Sequence, residues 1–94
     1  MTGVGKGFGA WSAGAINTSV LAATDGFVVC SSGILTNGGV VGYSDASTPP
    51  TTIRAQVSFG FGSSGRASFT MPVRKGDYWK VSAGCTTNYW IPLN

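Results

Sequence analysis

Histidine and glutamate are absent from this chain, and aspartate occurs three times, as Asp25, Asp45 and Asp77. Those absences remove most of the side chains that move protons near neutral pH, so general acid–base chemistry would rest on the aspartates alone. Each stands in a turn-like setting, TDG, SDAS or KGDY, where a carboxylate ordinarily accepts hydrogen bonds from local backbone. A serine or cysteine nucleophile would have no imidazole to activate it, and three turn aspartates give little support to a glycosidase pair. Two cysteines without histidine cannot complete a tetrahedral metal shell, and no spaced carboxylate loop suggests calcium. The expectation is a protein that is not an enzyme and takes no cofactor or metal.

Charge is scarce as well. Only 10% of the 94 residues are charged, with a net charge of +3, while hydrophobic residues make up 43%. Disorder pairs low hydrophobicity with high net charge, so a folded chain is expected. Strong helix formers are few and glycine is spread throughout, which excludes a helical fold. No window approaches the roughly 20 apolar residues of a membrane-spanning helix, and the start carries no apolar run of signal-peptide type. Membrane insertion and secretion by a conventional signal are therefore not expected. A chain of this length buries only about 60–65% of its unfolded surface, and small domains usually gain stability from a disulfide, a ligand or association. A poorly charged, apolar surface favours association. Cys30 and Cys85 form either one internal disulfide or two buried thiols, and the sequence leaves both open.

What is present reads as β-structure. The opening MTGVGKGFGAWSAGA, residues 1–15, is too rich in glycine for a core strand and is expected to be an extended lead-in, with Phe8 and Trp11 packed against the body or a neighbour. Residues 16–94 form the folded domain. INTSVLAA suggests a first strand ending at Thr24-Asp25-Gly26. GFVVCSS is apolar on both faces, as a central strand covered on two sides would be. Asn37-Gly38 between short apolar runs predicts a hairpin, and the polar SDASTPPTT excludes helix through Pro49-Pro50. RAQVSFGFG places Ala55, Val57, Phe59 and Phe61 on one face, and ASFTMPV does so with Ala67, Phe69, Met71 and Val73. GSSGR is expected to join these two as a hairpin loop, and Pro72 makes the second strand an edge there or turns its N–H position outward. DYWKVSA and NYWIPLN complete seven or eight short strands, the pattern of an antiparallel β-sandwich or jelly roll.

The densest charge lies in MPVRKGDYWKV, residues 71–81. Cations and aromatics together suit nucleic acid. A net charge of +3 is a weak footprint, however, and strand parity sends Met71, Val73, Trp79 and Val81 inward and leaves Tyr78 and Lys80 outside. Gly76 and Asp77 then reverse the chain, and no nucleic-acid partner is expected. Glycan recognition is better supplied, since sugars pack on aromatic rings and hydrogen-bond to short polar groups. Loop positions Tyr43, Asp45, Arg66, Asn88 and Tyr89, with the outward Tyr78, are the candidate ligand-binding residues.

ASFTMPVRKGDYWKV is similar to the late strand–turn–strand of C1q/TNF-like trimeric jelly rolls, in which an apolar strand enters a Lys-Gly-Asp turn and an alternating strand follows. DGFVVCSS after TDG resembles an early strand of that family, and YWIPLN its closing strand. TPPTTIRA, MPVRKGDYWKV and YWIPLN together resemble small head domains at the C-terminal tips of bacteriophage tail fibres and related bacterial fibre proteins. The resemblance spans roughly residues 20 to 94. It implies a homotrimer on a virion tail-fibre tip or bacterial surface fibre, with residues 1–15 as the shaft junction and a surface that meets a host-cell glycan or protein receptor. The chain is shorter than C1q and TNF domains, and no receptor residue is carried over from them. A purely structural trimerisation cap without a ligand is the alternative.

Overall fold

The computed structural model describes residues 7–60 and 62–93. The expectations for residues 1–6 of the lead-in and for an inward Phe61 lie outside the described residues. The described chain is all β, in ten strands. These are β1 (Ser12–Ala13), β2 (Val20–Leu21), β3 (Gly26–Ser31), β4 (Leu35–Thr36) and β5 (Gly39–Asp45), then β6 (Ile53–Ser58), β7 (Ser64–Gly65), β8 (Ser68–Val73), β9 (Tyr78–Val81) and β10 (Thr87–Pro92).

They form one sheet in the order β1-β10-β3-β8, a second in the order β2-β9-β5-β6, and a ribbon of β4 and β7. Every pairing is antiparallel, and the partners are nested: β1 with β10, β2 with β9, β3 with β8, β4 with β7, β5 with β6. The chain is therefore one long hairpin with its tip at residues 46–52, and successive pairs fall in alternating sheets. Lateral pairing of β10 with β3 and of β9 with β5 closes each sheet.

This nesting corrects two expectations. Asn37-Gly38 does not close a hairpin, because β4 pairs with β7 while β5 pairs with β6 and β9. Asn37 does adopt a left-handed φ of 54°, but its side chain accepts from Gly62 N–H and its own N–H reaches Ser63 O at 3.1 Å. The turn chemistry here moves the chain between strand partners. Residues 62–66 likewise join no hairpin, since β6 and β8 belong to different sheets. The predicted first strand shrinks to Val20–Leu21, and the described part of the lead-in runs along β10 through β1 and a Phe8–Leu93 bridge.

Alternation sets the inner faces. Val28 and Cys30 of β3 and Met71 and Val73 of β8 meet Val40, Trp79 and Val81 of the second sheet in one buried cluster, each side chain contributing about 1.5–3 kcal/mol as it leaves water. Gly42 permits this approach: a Cβ there would lie 2.7 Å from Met71 Sδ and 2.8 Å from the Phe69 ring. Trp79 and Trp90 stack across the two sheets, centroids 6.0 Å apart and planes 12° off parallel. Cys30 and Cys85 are disulfide-bonded and wholly buried. The bond ties a strand of the first sheet to the connection leaving β9, and closing a 55-residue separation contributes about 4 kcal/mol in the chain-entropy account.

Candidate functional site

Two turns build one end of the molecule. Arg74-Lys75-Gly76-Asp77 reverses the chain between β8 and β9, with Asp77 N–H bonded to Arg74 O at 3.0 Å and Gly76 at a φ of +91°, a conformation glycine adopts at least cost. Thr24-Asp25-Gly26 lies beside it. Asp25 Oδ1 accepts from Lys75 N–H at 2.7 Å, and Ala22 exchanges backbone hydrogen bonds with Gly76 and Asp77. The two turns that the sequence presents separately are therefore docked on each other.

Beside them opens a hollow of about 470 Å³, whose lining includes Asp25, Asp77, Arg54, Arg74, Phe27 and Ser44. Four of the chain's nine charged residues thus face one concavity, two of each sign. Arg54 spends its Nε on Ser44 O at 2.9 Å, and Asp25 spends one oxygen on Lys75 N–H. Among the described residues no hydrogen bond engages the Asp77 carboxylate, the Arg74 guanidinium or the terminal nitrogens of Arg54.

Comparison with family models, with characterised proteins and with solved structures finds no match.

The candidate residues named from sequence separate into distinct places. Tyr43, Asp45 and Tyr78 share the outer face of the second sheet, where Tyr43 pairs with Lys80 and Asp45 with Tyr78. Tyr43 and Asp45 lie in β5, and Asn88 and Tyr89 in β10, rather than in loops. Lys80 Nζ sits 5.1 Å from the Tyr43 ring centroid. Asp45 is a loop pin. Its Oδ1 accepts from Ser47 N–H, and its Oδ2 accepts from Thr51 N–H, Thr52 N–H and the Thr51 hydroxyl. These donors, led by Thr51 and Ser47 N–H, hold its carboxyl well below the usual carboxylate range. They fasten the hairpin tip, with Pro50 buried beneath.

Arg66 is exposed between β7 and β8. Asn88 points into the interior at 3% exposure, and its Oδ1, like the Trp79 Nε1, has no hydrogen-bond partner among the described residues. Tyr89 lies on the outer face of the first sheet, edge-on to Trp11 at 6.2 Å. With Phe8, Phe27, Val29 and Ile91 it forms an apolar face in which Phe8 and Trp11 are 62% and 58% exposed. GFVVCSS reads as a strand covered on two sides, and in the structure its outer Phe27 and Val29 are only half-buried. The hollow was legible only in part: Arg74 and Asp77 stand in the densest charge cluster of the sequence, whereas Asp25 and Arg54 join them only through the nesting.

Proposed function

We propose that this chain is the head of a trimeric fibre, a jelly roll that meets a host-cell glycan or protein receptor and performs no catalysis. The observation that carries the proposal is the unequal character of the two outer faces. The first sheet exposes Phe8, Trp11 and Tyr89 beside Phe27 and Val29, an apolar expanse of the kind that marks an association surface. The second exposes Tyr43, Tyr78, Lys80, Gln56 and Ser58, with Val41 half-buried among them and its exposed aliphatic residues, Leu21 and Ile53, confined to the two edge strands, and it stays outward when the first is covered. The nested pairing in two four-stranded sheets supports the jelly-roll reading, since rolling up a long hairpin of eight main strands gives these strand orders.

The exposed apolar face supports association equally well without any ligand, which is the trimerisation-cap reading. Light scattering of the purified chain tests what both share, with a trimer expected and a monomer overturning both. Deletion of the domain from its fibre separates them: fibres that assemble but fail to adsorb indicate a receptor head, and fibres that fail to assemble indicate a cap.

A further inference from the structure

We infer that the hollow at the turn-bearing end is a saccharide site, with Asp25, Asp77, Arg54 and Arg74 as its polar clamp and Phe27 as its apolar wall. Its volume of about 470 Å³ lies within the roughly 300–1,000 Å³ of small-molecule pockets. The chemistry selects the ligand class. Two carboxylates and two guanidiniums cancel in formal charge, so the hollow has little net attraction for a simple anion or cation. It offers acceptors and donors side by side, and vicinal hydroxyls are both donors and acceptors, so a sugar diol can bridge a carboxylate and a guanidinium at once. Phe27 and the exposed Pro72, register partners on one face, supply apolar lining, against which the C–H face of a pyranose ring can pack.

The charged side chains are held ready for this role. The two docked turns fix the backbones of Asp25, Arg74 and Asp77, and the Arg54 Nε–Ser44 O bond fixes the guanidinium plane. Little ordering is then left for binding to impose. Phe27 lines both this hollow and the apolar face of the first sheet, so the site lies at the rim of that face and association there would add a further wall. The site stands on its own geometry; only its identification as the receptor site rests on the fibre-head reading.

Protein-observed NMR titration of the full chain tests the assignment, with glucose, galactose, mannose, N-acetylglucosamine and lactose as probes and inorganic phosphate and glycine as controls. The expected result is saturable shifts at Gly26, Arg54 and Asp77 with at least one sugar and none with the controls. The double variant Arg74→Gln/Asp77→Asn keeps the net charge and should weaken binding about tenfold or more. Arg54→Gln should do the same independently, whereas Lys80→Gln on the second sheet should change nothing. The assignment is overturned if no sugar saturates, if phosphate or glycine fills the hollow instead, or if the sugar shifts fall around Tyr43 and respond to Lys80→Gln. Cell adsorption that survives without a saturable hollow removes the hollow and leaves the receptor reading. Saccharide binding by a chain that never adsorbs to cells does the reverse.

Discussion

The outer faces of the two sheets are built by the same alternation and end in opposite character. In the first sheet β3 is central, and the side chains it turns away from the core, Phe27 and Val29, are as apolar as those it buries. Phe8 and Trp11 lie along β10 over this surface and screen it only in part, remaining themselves 62% and 58% exposed. In the second sheet β9 and β5 turn out Tyr78, Lys80, Tyr43 and Asp45 beside a half-buried Val41, and Leu21 and Ile53 are exposed on the edge strands. Burial explains the inner side of both sheets and the mainly polar centre of the second exterior. It does not explain aromatic rings left more than half exposed on the first, and that residue of unexplained apolar surface is what points to a partner.

The largest effect should come from placing a charge at the centre of the apolar face. Val29→Asp should weaken self-association at least a hundredfold, about 2.7 kcal/mol, measured by sedimentation across a dilution series. Gln56→Asp on the second sheet should leave association unchanged. Because Val29 lies within a central strand, Trp11→Ser at the edge provides a second probe that spares the core, and it should also weaken association. Equal sensitivity of both faces would break the comparison.

An effect of comparable size is expected from the disulfide, which makes both faces parts of one body. Replacing Cys30 and Cys85 together by alanine should cost about 2–5 kcal/mol, read from urea unfolding followed by tryptophan fluorescence and by far-ultraviolet dichroism. The two probes should move together to lower urea. Separate transitions would mean that the sheets, and with them their faces, unfold as independent units.

Much of this comparison could be read from the sequence, and the rest could not, for a physical reason. Alternation of period two is local, so the inward placement of Met71, Val73, Trp79 and Val81 and the edge position of Pro72 follow from a few residues. The Arg74–Asp77 reversal is likewise encoded by Gly76. Strand partners are another matter. Asn37-Gly38 carries the local chemistry of a hairpin, yet the strands beside it find distant partners, because a pairing is decided by the sheet that buries the most apolar surface. The Cys30–Cys85 bond and the charged hollow depend on that same long-range nesting. Asp45 shows the limit from the other side: its turn context correctly suggested backbone capping, but nothing local showed that one carboxylate would hold both sides of the hairpin tip.

Asp45 provides the third test, on the polar face. Its carboxyl is held below the ordinary value of 3.8, so the folded chain keeps it ionised where the unfolded chain takes up a proton. The stability it contributes is fully present above the ordinary carboxylate pKa and is lost as pH falls from there through the lowered folded value. Asp45→Asn should lower the melting temperature at neutral pH and flatten the acid-side decline, with association unaltered. A variant that kept the full decline would show that another group causes it.

The smallest expected effect concerns Lys80 and Tyr43. An ammonium 5.1 Å from a ring centroid on a half-exposed face is worth about 0.5–1 kcal/mol, so Lys80→Gln should shift unfolding by no more than that. If the second face serves only as an outward surface, this variant leaves both association and saccharide binding at their wild-type values. A loss of association on Lys80→Gln would be more informative than its size suggests. It would mean that a partner covers the polar face, and the exposed aromatics of the first sheet would no longer be the sole basis for the proposed assembly.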